Sequence, residues 1–143
     1  MLGLLVSGCG GGDSTATVAE YQESVVSARD RVDFALARIT RADSKEEFLN
    51  RMDEAAAAIE AAASDFEDQG VAEGFEPESQ RFATALHQLS VDLSATAADI
   101  QNPAFSGLVT GTQGLNFESW DKANLALATM IGKGIEVQII GRH

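Results

Sequence analysis

Residues 18–39 read VAEYQESVVSARDRVDFALARI, and the apolar positions Val18, Tyr21, Val25, Ala28, Val32, Ala35 and Ile39 follow one another at alternating steps of three and four. That spacing gathers them on one stripe of an α-helix; a strand, with its period of two, would scatter them over both faces. Asp43 and Ser44 interrupt the stripe, and Ser44 with Glu47 three residues on is the capping-box signature of a second helix. So short a link makes the two helices antiparallel neighbours.

Working outward, the same period returns in Phe48, Met52, Ala55, Ile59, Ala62 and Phe66, supported by alanines at residues 55–58 and 61–63, with Gly70 as the expected stop. Pro77 suits a first helical turn, and Phe82, Leu86, Leu89, Leu93, Ala97 and Ile100 form the stripe of a third helix that Asn102 and Pro103 close. Residues 104–116 contain Gly107, Gly111 and Gly114 and lose the period; they read as a longer connection whose Phe105, Leu108 and Val109 close one end of the core. Phe117, Trp120, Ala123, Leu127 and Ile131 mark a fourth helix, weakened at its end by Gly132 and Gly134. Residues 135–140 fit a continued helix or an extended tail equally. The expectation is an all-α fold, a four-helix up-down-up-down bundle with helices of about 20 to 27 residues. A coiled coil formed by oligomerisation is the rival, and the short links argue against it.

Composition agrees. The chain has 143 residues, enough for one domain; aromatics are only 6% and there are two prolines, as closely packed, uninterrupted helices require. A formal charge of -12 repels phosphate backbones and anionic lipid, which argues against nucleic-acid binding and against a basic membrane-binding face. A single cysteine allows neither an internal disulfide nor a paired metal site. After the first nine residues no apolar run approaches the ~20 that span a bilayer.

The N-terminus carries the one specific motif. The run Met1-Leu2-Gly3-Leu4-Leu5 is followed by Val6, Ser7, Gly8 and Cys9, which resembles the lipobox of bacterial lipoproteins. The resemblance implies cleavage between Gly8 and Cys9 and acylation of the Cys9 thiol. It also implies a chain anchored by lipid to the cell membrane on the extracytoplasmic face. Residues 1–8 are then a signal segment, 9–17 the lipidated cysteine with a flexible linker, and 18–143 the helical bundle domain. Gly10, Gly11 and Gly12 followed by Asp13, Ser14 and Thr15 make a Gly-rich tether; about six such residues reach only ~12 to 15 Å, so the body would sit close to the bilayer.

Between Arg51 and Arg81 nine acids occur with no base. Within this run, residues 65–76 resemble the twelve-residue calcium loop of the EF-hand family. Asp65, Glu67, Gln69, Val71 and Glu76 would be the ligands and Gly70 the sharp turn. Glu67 and Gln69 depart from the shorter Asp or Asn of that family, and Ala72 from its branched apolar residue. The alternative is a solvated acidic hairpin.

Other candidates read as structure. Arg31, Arg38 and Lys45, spaced by seven, are expected to pair with acids on the second helix. His87 has no carboxylate or second histidine one turn away on its own helix and is expected half-exposed; His143 is terminal; Met52 lies in a seam and packs. There is no Glu-x-x-His pair, no Gly-x-Ser-x-Gly turn and no phosphate loop. The sequence therefore points to a non-enzymatic, membrane-anchored interaction or scaffold module with an envelope protein as partner and no resident cofactor. The alternative is a lipoprotein that binds calcium at the acidic loop or a small apolar ligand inside the bundle.

Overall fold

The computed structural model describes residues 15–101 and 115–142. Four helices account for most of them: α1 (Val18–Ile39), α2 (Lys45–Glu67), α3 (Glu76–Gln101) and α4 (Glu118–Gly132). The helix starts are written locally. Thr17 caps α1 with a reciprocal box, its hydroxyl accepting from the Glu20 amide while Glu20 accepts from the Thr17 amide. Ser44 caps α2 by accepting from the Glu47 amide, but the Glu47 carboxylate reaches past it to the Asp43 amide.

Ion pairs and hydrogen bonds give the helix directions. Arg31 meets Asp65 and Arg38 meets Glu54, so α1 and α2 run antiparallel. His87 meets Glu60 and Ser90 donates to the Ala56 carbonyl, so α3 runs against α2. Ser119 meets Asp92 and Lys133 meets Glu78, so α4 runs against α3.

The predicted stripes are the core. All six positions expected in α3 are buried, and Leu86, Leu89 and Leu93 are fully so, each contributing about 1.5 to 3 kcal/mol by leaving water. Alanines at 55, 56, 62, 63, 83 and 85 are buried too, and their small side chains let α2 and α3 approach closely. At the end of the bundle where α2 passes into α3, Tyr21, Phe66, Phe75 and Phe82 form an aromatic cluster; Phe66 and Phe82 meet edge to face at 5.3 Å.

Several details differ from expectation. Val18 is 54% exposed, because it lies in the first turn, beyond the aromatic cluster. Leu49 takes the buried place beside a partly buried Phe48, and Met130 the one expected of the exposed Ile131. α2 stops at Glu67, three residues before Gly70. Beyond it Val71–Ala72 forms a two-residue strand, β2, paired in parallel with β1 (Thr15–Ala16), in a stretch expected to be linker.

The largest departure is α4, which has only 15 residues. Gly134, at φ 101°, turns the chain out of the helix; its amide reaches the Ile131 carbonyl and the Ile135 amide reaches that of Met130. This is the Schellman pattern, closed by buried Ile135 and Met130 at its hydrophobic positions. The tail then runs extended between α1 and α4, whose backbones do not approach each other closely. Glu136 donates its amide to Gln22, Arg29 donates to the Ile139 carbonyl, and the Gly141 amide donates to Asp33. On the α4 side Asn124 and Ile140 bond reciprocally. Ile135 and Ile140 enter the core, so β-branched residues that were neutral between two conformations here serve a further, non-helical segment.

Candidate functional site

Val6, Ser7, Gly8 and Cys9 lie outside the described residues, as do Phe105, Leu108 and Val109. Thr15, six positions after Cys9, is in β1 and bound to β2. β1 therefore lies beside the α2–α3 loop, at the end of the bundle that holds the aromatic cluster.

That loop contains the five residues proposed as calcium ligands, and the structure gives them other work. Asp65 pairs with Arg31 at 2.7 Å. Glu67 reaches His87 on α3. Gln69 lines a groove along α1, and Val71 is committed to β2. The Glu76 carboxylate turns back onto the Gly74 amide at 2.9 Å. Among the described residues no group of three or more His, Cys, Asp or Glu side chains is gathered to hold a metal. Gly74, at φ 87°, makes the sharp turn that Gly70 was expected to make. The longer Glu67 is the physical reason for much of this: it extends across to the neighbouring helix, where an Asp would stay within its own loop.

The basic residues behave largely as expected. Arg31 and Arg38 meet Asp65 and Glu54 on α2, at 2.7 and 3.1 Å, whereas Lys45 opens α2 and has no ion pair among the described residues.

His87 is half-buried, as expected, but it is not idle. Its Nδ1 lies 2.8 Å from Glu60 and its Nε2 lies 2.6 Å from Glu67, the two carboxylates standing two turns apart on α2. An ionised carboxylate only accepts, so holding both requires both ring nitrogens to donate, which the imidazolium does and the neutral ring does not. The bond from Glu60 lifts the His87 pKa above the ordinary 6.5; desolvation opposes it and Glu67 adds to it. With both nitrogens engaged, the ring offers no free atom to a substrate. Sequence spacing missed this cluster because its members lie on different helices. The seven-residue interval from Glu60 to Glu67, which puts both on one face of α2, was the available signal.

A second polar cluster lies beneath the loop. Glu78, counted in sequence among the solvated acids, is only 5% exposed; Lys133 from the end of α4 reaches it at 2.8 Å and also donates to the Gly74 carbonyl. The bond from Lys133 holds the Glu78 carboxyl below the usual range against the opposing effect of burial. Beside it the Tyr21 hydroxyl shares a hydrogen bond with Ser79, and burial raises the tyrosine pKa. Glu78 lies four residues before Phe82, on the extension of the α3 stripe, and that register was the clue to its burial. This cluster ties α1, α3 and α4 to the loop and is structural chemistry.

The surface that remains is acidic around the loop, with isolated exposed apolar residues elsewhere, among them Phe34, Val91 and Leu125. Searches of family models, curated proteins and solved structures give no significant match to this chain.

Proposed function

We propose that this chain is an extracytoplasmic lipoprotein: an up-down-up-down helical bundle held to the cell membrane by acyl chains on Cys9, and acting as a non-enzymatic interaction module for an envelope protein. The reading rests on one observation, the order Val6-Ser7-Gly8-Cys9 ahead of a Gly-rich tether. Two or more acyl chains give stable anchoring where one gives only marginal binding. Among the described residues no helix is long and apolar enough to cross a membrane.

Because β1 starts six residues beyond Cys9, the body of an anchored chain stands about 12 to 15 Å from the lipid, with the acidic α2–α3 loop on the membrane-facing end. Its charge of -12 keeps that end off anionic lipid and favours a partner with a basic surface, not nucleic acid. The reading is tested by fractionation: Cys9→Ala should move the protein from the membrane pellet to the soluble fraction, and a variant that stays in the pellet overturns it.

A further inference from the structure

Glu67 is the last residue of α2, and the chain that follows it carries β2, on which β1 is laid. The position of β1 therefore depends on where the end of α2 is held. Two features of the described residues hold it on the α3 side: the packing of Phe66 against Phe82, and the contact of Glu67 with His87. The first does not depend on pH; the second does.

We propose that Glu60, His87 and Glu67 form a pH-sensitive latch that fastens the end of α2 to α3 and thereby sets how firmly the β1–β2 pair holds the N-terminal segment. The charged groups facing the ring are the two carboxylates from α2, Glu60 and Glu67. On its own helix the residues a turn away, Ala83, Thr84, Ser90 and Val91, carry no charge, and β2 contributes only Val71 and Ala72. On α4, Glu118 pairs with Lys122 and Asp121 with Arg142, while Lys133 at its end pairs with Glu78; none of these reaches the ring. Losing the ring proton leaves one N–H for two acceptors, and one carboxylate then faces a lone pair. The side chains of Glu60 and Glu67 are about half exposed, at 51% and 52%, so water takes over the released carboxylate and the ring stays in place.

The raised pKa fixes the direction. Stabilisation by the latch is fully present below the unfolded histidine value near 6.5 and disappears as pH rises through the higher folded value. An exported protein meets outside pH directly, so this range is one it would experience; the latch itself does not require the acyl anchor.

The test uses the full chain carrying His143→Ala, so that His87 is the one imidazole to titrate. Its midpoint is followed by NMR, and amide hydrogen-exchange protection factors of residues 68–75 are measured on both sides of it. The expected result is a midpoint above 6.5 and a protection loss of roughly two- to fivefold on crossing it, the scale of a half-exposed ion pair. In Glu67→Gln the midpoint falls and the pH dependence of protection disappears, while the chain stays folded because the substituted site is at the surface. A midpoint at or below 6.5, or protection that does not change across it, overturns the latch. Neither outcome bears on whether Cys9 is acylated, since no membrane enters the measurement.

Discussion

Asn124 and Ile140 hold one another by two hydrogen bonds, the Asn124 amide donating to the Ile140 carbonyl at 3.0 Å and its oxygen accepting from the Ile140 amide at 2.7 Å. A side-chain amide has the donor and acceptor of a peptide group, so Asn124 treats the tail as a neighbouring strand would. The bundle is closed on this side by a strip of extended chain, and this pair fastens it to α4.

Asn124→Ala should therefore loosen the tail. The loss of both bonds is expected to cost about 1 to 3 kcal/mol in chemical denaturation and to raise amide exchange at residues 136–141 above that of α2. An unchanged exchange pattern would mean that the contacts of Gln22, Arg29 and Asp33 on α1 hold the tail without Asn124.

Leu89 is fully buried in the middle of α3. Leu89→Ala leaves a cavity and should cost about 2 to 5 kcal/mol. A loss under about 1 kcal/mol would show that the neighbouring small side chains close the space.

Lys133→Met should leave the Glu78 carboxylate buried without its cation. The expected cost is about 1 to 3 kcal/mol at neutral pH. The sign with pH follows from the lowered Glu78 pKa: the pair stabilises above the ordinary carboxylate value near 4.5 and the contribution is lost as pH falls through the folded value. The difference between wild type and variant should accordingly shrink in acid, which urea melts at several pH values will check.

Millimolar calcium should leave the melting temperature unchanged, because Asp65, Glu67, Val71 and Glu76 already have partners within the fold. A clear upward shift would mean that the ion reorganises the loop and stabilises the folded chain by mass action.

The helices were legible because their signals are local. Stripes at 3.6-residue period and the capping residue Ser44 act within a few positions of themselves; the Thr17 cap, equally local, fell in a stretch read as linker. What escaped depends on partners far along the chain. Glu78 is buried because Lys133 arrives from α4, and the His87 pKa is raised because Glu60 and Glu67 stand across from it. Residues 135–140 could be assigned to neither state from propensity, since the choice was made by Gly134 and by the groove between α1 and α4. The calcium-loop resemblance scores residue types at fixed intervals, whereas Glu67 is long enough to leave its loop and reach His87 on another helix.

Whether Cys9 is where the chain meets the membrane is decided by intact mass spectrometry of protein extracted from the membrane fraction. The predicted result is a chain that lacks residues 1–8 and carries the added mass of acyl chains on an N-terminal Cys9. A chain that begins at Met1 with a freely titratable Cys9 thiol would contradict it.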